Sequence, residues 1–475
     1  MATRLVSRRE LLKTGAAGSL AVLTAKRARA QSGRPPNIVF IMADDMGYAD
    51  VACYGRPDLR TPNVDGLAVR GIRLLQGYAN SAVCTATRVG LITGRYQYRL
   101  RVGLEEPLAT MSPIGLPPEH PTLPSLLKKA GYATALLGKW HLGTLPNFGP
   151  LQSGYEQFFG FRGGAVDYYS HNGTDQKPDL WDNDLPIERA GYLTQLLGDR
   201  AVQVVNAYAR ERRPFFISLH FNAPHWPWEA PGDETESRRI AATSLNHYDG
   251  GSQKTYQGMI TELDTQIGRV VGALRSNGLI DNTIVVFTSD NGGERFANTW
   301  PFSGRKTELL EGGLRIPAII SWPAALPQHR TSEQVAISMD WLPTLLAAAG
   351  SAPDAAFPSD GMNLLPMLRA NAAPVPRRLF WRYKANAQRA VRDGDFKYLK
   401  IRENTFLFNV ADDPMERANL KDRQPEVFER LAKEWLNWNA TMLPEVPDSN
   451  TGGNNADRWA DHIGLRSTTE PDNPR

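Results

Sequence analysis

Residues 37–45 read Asn-Ile-Val-Phe-Ile-Met-Ala-Asp-Asp, an unbroken apolar run that stops at two carboxylates. An apolar run of this length without alternation is typical of a strand that is buried on both faces of a sheet. Runs at 134–137, 215–221 and 283–288 also stop at polar residues, and a fifth run follows at 316–321. The sequence therefore predicts a central sheet of buried strands whose ends carry polar side chains.

Two long segments with helical periodicity lie between these runs. Residues 192–212 form one, and residues 255–277 form the other, which stops at Gly278. Strands that alternate with helices predict an α/β fold, with a large mixed, mostly parallel sheet between two layers of helices. Ligands of such sheets bind beyond the carboxyl ends of the strands, which is where the polar clusters fall.

The pattern changes near residue 374. Short alternating segments separated by turns predict a small antiparallel sheet, and they lie at 379–383, 388–392, 396–401 and 405–409. A helix is predicted at 425–439, and an irregular tail rich in Asp, Asn, Gly and Pro follows it. We therefore predict a catalytic domain at 35–372, an antiparallel-sheet subdomain at 373–443 and a tail at 444–475.

The first thirty residues have the composition of an export signal. A paired arginine at Arg8 and Arg9 precedes a Gly/Ala-rich run, and Ala28-Arg29-Ala30 is a small-residue cleavage site. This predicts a twin-arginine signal peptide at 1–30, recognition by the twin-arginine export machinery, and a periplasmic or secreted mature protein. The alternative is a short amphipathic N-terminal helix.

The charge balance gives no argument for nucleic acid as a partner, and we predict none. Residues 1–30 hold seven Lys and Arg residues against one Glu, whereas the whole chain has a formal net charge of only +4. Residues 31–475 are therefore slightly acidic. The positive net charge of the whole chain comes from the predicted signal peptide. No apolar stretch is long enough to cross a bilayer, so we predict no stable membrane insertion.

Four oxygen-bearing side chains follow two of the predicted strands: Asp44, Asp45, Asp290 and Asn291. Carboxylate and amide oxygens favour Ca²⁺ or Mg²⁺ over Zn²⁺. Taken one strand at a time, the same residues suit a helix cap or a tight turn. Taken together, at the ends of two predicted strands, they also allow a metal site, and both interpretations stay open at this point.

Cys84 opens a second motif, Ser-Ala-Val-Cys-Thr-Ala-Thr-Arg at residues 81–88. If a helix begins here, Arg88 lies about one turn from the thiol, and a cation or helix N-terminus lowers a cysteine pKa. An inert buried cysteine is the ordinary alternative. A third possibility is a disulfide with Cys53, the other cysteine of the chain.

The pattern C-x-A-x-R-x-x-L-x-T-G-R at residues 84–95 resembles the signature of the type I sulfatases. Further matching motifs are G-K-W-H-L-G at 138–143, A-P-H-W-P-W at 223–228 and G-R-K-T-E at 304–308, so that the resemblance extends from residue 37 to about residue 420. Ala86 and Thr87 stand where the commoner signature has Pro and Ser. The chain is similar to the branch that contains arylsulfatase A and N-acetylgalactosamine-6-sulfatase, and the resemblance implies an alkaline-phosphatase-like fold.

The resemblance also implies the chemistry. A formylglycine-generating enzyme converts Cys84 to Cα-formylglycine, whose hydrate attacks a sulfate ester. One Ca²⁺ per chain, with Mg²⁺ as the alternative, is held by Asp44, Asp45, Asp290, Asn291 and residue 84. The implied catalytic residues are Arg88 as an anchor, Lys139, His225 and Lys306 on the sulfate, His225 as the acid for the leaving group, and His141 as the base. The implied substrate is an aryl sulfate or a sulfated sugar.

Two other functions remain open from the sequence. One is hydrolysis of phosphate or phosphonate esters by a member of the same superfamily. The other is a non-catalytic protein that keeps an unmodified Cys84 and binds sulfated glycans. A polar insertion at 168–186 is predicted to form the rim of the site. Five aromatic residues are interpreted either as pocket walls or as core: Tyr168, Tyr169, Trp226, Trp228 and Trp300.

Overall fold

The structure is a computed structural model that describes residues 34–247, 249–370 and 372–452. The predicted signal at 1–30 lies outside the described residues, as does the tail after residue 452. The protein has the α/β architecture that the sequence predicts, with a small antiparallel sheet at its C-terminal end.

The strands of the described residues are β1 Asn37–Ala43, β2 Ile72–Leu74, β3 Gly77–Tyr78, β4 Ala133–Lys139, β5 Gln157–Phe161, β6 Trp181–Asp182, β7 Leu185–Pro186, β8 Phe215–His220, β9 Thr283–Ser289, β10 Ala318–Ser321, β11 Arg330–Ser332, β12 Ala336–Ile337, β13 Arg378–Tyr383, β14 Gln388–Asp393, β15 Phe396–Ile401 and β16 Asn404–Asn409. The helices are α1 Pro62–Val69, α2 Cys84–Thr93, α3 Leu123–Lys129, α4 Leu193–Glu211, α5 Glu234–Ala241, α6 Gln253–Ser276, α7 Glu311–Leu314, α8 Trp341–Ala348, α9 Leu365–Ala370 and α10 Pro425–Asn439.

A ten-stranded sheet forms the centre, in the order β11-β2-β10-β9-β1-β8-β4-β5-β6-β7. Strands β9, β1, β8, β4 and β5 are parallel neighbours, whereas β10 and the β6–β7 hairpin run antiparallel. These five parallel strands are buried along almost their whole length, and only the first residues of β1 and β5 are partly exposed. Their carboxyl ends therefore meet at one edge of the molecule.

Helices cover both faces of the sheet. The amphipathic helices α4 and α6 pack together over one face, where Leu197, Val205, Ile267 and Leu274 are buried. Helices α2, α3 and α8 cover the other face, where Val89, Leu127 and Leu345 are buried. Burial of these apolar stripes is the main force that holds the layers together.

Strands β13–β16 form the predicted antiparallel sheet, and α10 packs on it through Leu431 and Trp435. The opposite face of this sheet packs against the catalytic segment, since Trp381 shares a core cluster with Cys84 and its indole donates to Ala79 O at 2.9 Å. The small sheet thus buttresses the helix that begins at Cys84.

Within the part of the chain that the structure describes, no helix combines the length and the apolar character that crossing a bilayer requires.

Candidate active site

The carboxyl ends of β1 and β9 place the predicted oxygen ligands side by side. Asp44 and Asp45 follow β1, whereas Asp290 and Asn291 follow β9. The backbone N–H of Asp45 donates to Asp290 Oδ1 at 3.2 Å, and Asn291 Nδ2 donates to Asp45 Oδ1 at 2.7 Å. All four side chains are buried. Asp45 has a φ of 61°, and such backbone strain in a non-glycine residue is common at functional sites.

Cys84 is the first residue of α2, so its side chain lies at a helix N-terminus, as the sequence analysis supposed. Thr87 fixes this turn, because its hydroxyl donates to Ser81 O and accepts from Ser81 N, both at 2.9 Å. The predicted alternative of a disulfide is wrong, because Cys53 and Cys84 are both free. They pack in different core clusters, so no bridge joins them.

Burial raises the pKa of the Cys84 thiol, although Lys139 and Lys306 act in the opposite direction. The electropositive neighbours that the sequence suggested are present, but Asp44 and Asp290 offset them. The unmodified side chain is therefore a protonated thiol at neutral pH and a poor nucleophile.

Arg88 joins the carboxylates to α2. Its Nε and Nη2 both donate to Asp290 Oδ2, at 3.1 and 2.9 Å, and Nη2 lies 3.8 Å from Asp44 Oδ2. Its Nη1 donates to Lys139 O at 3.2 Å. The guanidinium is 2% exposed, so these bonds form where the dielectric constant is low. Arg88 thus holds two strand ends and one helix in a fixed arrangement.

Two lysines pair with the two aspartates that follow β1. Lys139 Nζ donates to Asp44 Oδ2 at 2.6 Å, and Lys306 Nζ donates to Asp45 Oδ2 at 2.6 Å. Both ammonium groups are buried, and burial of a charge is tolerated only when it is paired. With Arg88, three cations therefore face the carboxylates.

The two aspartates differ in proton affinity. Burial raises the pKa of Asp44 well above its usual value, and the charge of Asp290 adds to this effect. Burial acts on Asp45 in the same direction, but the Lys306 ammonium outweighs it and holds the pKa of Asp45 well below its usual value. A bound dication lowers the pKa of a carboxylate, so metal binding and deprotonation of Asp44 are coupled.

His225 lies beside the Lys306–Asp45 pair. Its Nδ1 is 2.7 Å from Trp226 O, which accepts the ring proton, and its Nε2 is 3.2 Å from Lys306 Nζ. Nε2 therefore accepts a hydrogen bond from the lysine. Burial lowers the pKa of His225 well below its usual value, which keeps the ring neutral.

His141 presents the opposite arrangement. Its Nε2 is 2.9 Å from Leu108 O, which accepts the ring proton, so Nδ1 carries a lone pair. Nδ1 is buried and has no hydrogen-bond partner among the described residues. Burial and Lys139 lower the pKa of His141 well below its usual value. The φ of His141 is 57°, a second strained non-glycine residue at this site.

The residues at the strand ends fit a hard divalent cation. Asp44 Oδ1 and Asn291 Oδ1 are buried oxygens without a hydrogen-bond partner among the described residues. Unpaired buried oxygens are costly, and a cation removes that cost. Ligand atoms of Asp44, Asp45 and His225 also lie within 4.8 Å of one another. His225 was predicted as a catalytic residue only, and its Nε2 already accepts from Lys306.

Comparisons with known proteins agree with this geometry. A family model described as Sulfatase matches residues 36–351. The chain belongs to the sulfatase family. Its reaction is accordingly the hydrolysis of sulfate esters, and the enzyme is a sulfuric ester hydrolase.

Two curated relatives and one solved structure illustrate the likeness. The N-acetylgalactosamine-6-sulfatase of Sus scrofa is 34% identical over 389 residues, covering 77% of this chain and 71% of that protein. Arylsulfatase A of Homo sapiens is 32% identical over 451 residues, covering 87% and 84%. The crystal structure of Ps i-CgsB in complex with k-i-k-neocarrahexaose has a TM-score of 0.79 and 29% identity, covering 91% of this chain and 98% of that one.

These findings confirm the predicted family, the fold class and the reaction. The structure brings every predicted site residue of this sulfatase to one place, although the individual roles stay predictions. Two of the aromatic residues with an open interpretation, Tyr168 and Trp228, are buried in the core. Trp300 is 63% exposed, whereas Tyr169 and Trp226 pack partly against the core.

Sequence reasoning missed His220, the last residue of β8. Its Nδ1 lies 3.5 Å from Arg88 Nη1 and 3.3 Å from Lys139 O. The His220 ring therefore packs against Arg88 and helps to hold its guanidinium in place. The only signal in the sequence was a histidine near the end of the apolar run 215–221. No motif surrounds this histidine, so the sequence does not distinguish it from an ordinary core histidine.

A buried carboxyl pair, also missed, holds the loop of His225. Burial raises the pKa of Glu229 to about 9, and the charge of Asp167 adds to this effect. Glu229 Oε2 accepts from Tyr168 N at 3.0 Å, and the Tyr168 hydroxyl donates to His225 O at 2.9 Å. Glu229 thus holds Tyr168, which in turn holds the loop of His225.

We expect Glu229→Gln to remove a pH-dependent loss of stability. Between the ordinary pKa of a glutamate and about 9, the folded protein binds one proton more than the unfolded chain, so stability falls as pH rises. Gln keeps the donor and loses the titration. Relative to the parent, its unfolding free energy should increase by roughly 2–4 kcal/mol from pH 5 to pH 9, measured by urea denaturation. The exposed Glu188→Gln is the control, and a variant that follows the parent at every pH would contradict the raised pKa of Glu229.

Proposed function

We propose that this sulfatase hydrolyses the sulfate ester of a sugar or an aryl alcohol, with Cys84 converted to Cα-formylglycine and one Ca²⁺ bound at the ends of β1 and β9. The observation that carries the proposal is a pair of buried oxygens, Asp44 Oδ1 and Asn291 Oδ1, beside the N-terminus of the helix that begins at residue 84. Neither oxygen has a hydrogen-bond partner within the described part of the chain.

The proposed ligands of the cation are Asp44, Asp45, Asp290 and Asn291, with residue 84 completing the set. All four side chains offer oxygen, which suits Ca²⁺, and Mg²⁺ is the alternative. The charges support this assignment. The site has three carboxylates and three cationic side chains, so their charges cancel. A bound dication then gives the site a net positive charge, which attracts the anionic sulfate group. The charged residues are Asp44, Asp45, Asp290, Arg88, Lys139 and Lys306. The cation supplies neutralisation of the sulfate charge.

The raised pKa of the Cys84 thiol supports a modified residue rather than a thiolate nucleophile. The hydrate of an aldehyde supplies a hydroxyl as nucleophile and a second hydroxyl whose deprotonation releases sulfate. The N-terminus of α2 and the Arg88 fork on Asp290 fix the position of this residue. Rigid placement of a nucleophile against its substrate is a large part of catalysis.

The protein groups that move protons are proposed from their hydrogen bonds. Lys306 donates to His225 Nε2, so this pair delivers the lysine proton to the leaving oxygen and is left neutral. His141 Nδ1 is a buried lone pair without a partner among the described residues, which suits the base that takes the proton of the hydrate. Lys139 and Lys306 hold the sulfate oxygens and stabilise the charge that develops on them.

The address and maturation of the protein belong to the same proposal. We propose that residues 1–30 are a twin-arginine signal, that the twin-arginine machinery exports the protein, and that the mature enzyme is periplasmic or secreted. We also propose that a formylglycine-generating enzyme modifies Cys84. The division into a catalytic domain at 35–372 and a subdomain at 373–443 is likewise a proposal. A sulfated glycan is the favoured substrate, because relatives are named for N-acetylgalactosamine 6-sulfate and one similar structure holds neocarrahexaose.

The test combines activity with mass spectrometry. We expect protein made together with a formylglycine-generating enzyme to hydrolyse 4-nitrophenyl sulfate and sulfated monosaccharides faster than phenyl phosphonate. The tryptic peptide 74–88 should carry the aldehyde mass in place of cysteine at position 84. Protein made without that enzyme is the matched control and should keep the thiol and lack activity. Equal activity of the two preparations would contradict the proposed nucleophile.

A further inference from the structure

The loop that carries Lys306 is irregular. Residues 303–310, which we call the lysine loop, lie between β9 and α7 as turns and extended backbone. Thr307 has a φ of 72°, which a β-branched residue adopts only when the surrounding structure enforces it. The ammonium of Lys306 nevertheless has a fixed place, because it bonds to Asp45 and to His225. Contacts from elsewhere in the chain therefore have to hold this loop.

Gln388, the first residue of β14, binds the backbone of the lysine loop at two points. Its Oε1 accepts from Leu309 N at 2.8 Å, and its Nε2 donates to Thr307 O at 2.9 Å. Nε2 also donates to Ala385 O at 3.1 Å, so all three bonds of this amide go to backbone atoms. The side chain is buried, since Gln388 is 2% exposed. The amide thus gives the loop the hydrogen bonds that a neighbouring strand would otherwise supply.

The same loop is bound to the segment that leads into α2. Thr307 N donates to Ala82 O at 2.8 Å, two residues before Cys84, while Thr307 O accepts from Gln388. Thr307 is therefore held between the reacting segment on one side and the antiparallel sheet on the other. Because Lys306 is the next residue in the chain, a shift of Thr307 moves the ammonium relative to Cys84. Gln388 thus acts through the backbone on a distance inside the site.

The ends of the lysine loop have tethers of their own. Ser303 Oγ donates to Met415 O at 2.7 Å, and the N–H of Glu311, which follows the loop, donates to Glu416 Oε2 at 2.6 Å. Both bonds fix the loop to the segment that follows β16. Loss of the Gln388 bonds should therefore free the middle of the loop, where the ammonium is attached, and leave its ends in place.

We propose that Gln388 is a positioning residue for protonation of the leaving group, because it holds Lys306 within hydrogen-bond reach of His225 and the leaving oxygen. As the bond from sulfur to that oxygen breaks, the oxygen keeps the electron pair and takes one proton from the lysine, which becomes a neutral amine. A displaced ammonium still attracts the sulfate group, whereas proton transfer needs direct contact. The inference rests on the proposed function and extends it to a residue of the antiparallel sheet.

Gln388→Met tests this role, because methionine keeps the length of the side chain and loses both bonds to the loop. The substrates are aryl sulfates of similar size: 4-nitrophenyl, phenyl and 4-methoxyphenyl sulfate. Nitrophenol leaves readily as an anion, whereas the other two phenols need the proton. We expect kcat/KM to fall about 2-fold on 4-nitrophenyl sulfate and about 10–30-fold on 4-methoxyphenyl sulfate. The ratio of these two rates within one preparation does not depend on the fraction of folded or modified protein.

Three further variants complete the design. Lys306→Ala removes the donor itself and should show the same dependence on the leaving group, at about 100-fold. Gln388→Asn keeps the amide, shortens it by one methylene, and should give a smaller dependence of the same kind. Gln334→Ala is the matched control, because Gln334 is an equally buried glutamine that binds the N–H and the C=O of Val375 at 2.7 and 3.2 Å. It should lose stability and keep the parent's ratio of rates.

The outcomes distinguish this inference from the proposed function. A parent that hydrolyses no sulfate ester overturns both. A uniform loss in Lys306→Ala removes the lysine as proton source, and the role of Gln388 falls with it. An active Gln388→Met enzyme with the parent's ratio of rates overturns the positioning role alone, and Gln388→Asn decides in the same way if the methionine variant does not fold. The same dependence in Gln334→Ala would show a general effect of packing and would also overturn it.

Discussion

Cys84→Ala is expected to abolish sulfate ester hydrolysis, with a loss in kcat of at least about 10⁴-fold. The substitution removes the atom from which the nucleophile is made and leaves no side chain that replaces it. It should not unfold the protein, because the small Ala side chain leaves the first turn of α2 and the Thr87–Ser81 bonds in place. The measurement is kcat on 4-nitrophenyl sulfate together with the melting temperature.

Cys53→Ala is the matched control, since Cys53 is the other free cysteine and packs in a different core cluster. We expect this variant to retain full activity and to show the aldehyde at residue 84. Cys84→Ser is a stricter comparison, because a serine keeps one hydroxyl but lacks the second that releases sulfate. Near-normal turnover by Cys84→Ala would end the assignment of residue 84 as the nucleophile.

The fold was predictable where a strand is long and buried. The apolar runs that open β1, β4, β8 and β9 lie within a few residues of the observed strands, because strands buried on both faces need unbroken apolar side chains. Strands β2, β3, β6, β7, β11 and β12 have only two or three residues. Tertiary pairing creates such strands, so no local pattern announces them.

The candidate site was predictable as a set of residues and not as a set of contacts. The motif resemblance named Lys139 and Lys306, but their partners Asp44 and Asp45 lie 95 and 261 residues away in the chain. Those pairings depend on which strand ends become neighbours. His220 and the Asp167–Glu229 pair escaped notice because an isolated histidine or acid has no spacing to recognise.

Asp45→Asn is expected to have the second largest effect. The substitution keeps the shape of the side chain and removes the charge that faces the proposed cation and Lys306. We expect Ca²⁺ affinity to fall at least about 100-fold and kcat to fall about 10³-fold. The parent should gain roughly 2.7 kcal/mol of stability when Ca²⁺ is present at 100 times its Kd, and the variant should gain almost nothing at the same concentration. Calorimetric titration and melting curves with and without chelator measure both effects.

Asp50→Asn separates the loss of a metal ligand from the loss of a buried charge. Asp50 lies five residues further along the same loop, is equally buried, and pairs with Arg56 at 2.8 Å and with the Tyr256 hydroxyl at 2.6 Å. Its substitution should cost stability of about 1–3 kcal/mol, because hydrogen bonds to a buried charge weaken. It should leave Ca²⁺ affinity unchanged, since Asp50 makes no contact with the four proposed ligands. If both variants lose Ca²⁺ affinity equally, the cation is bound elsewhere than at Asp45, and the charge balance that favours a sulfate anion at this site no longer holds.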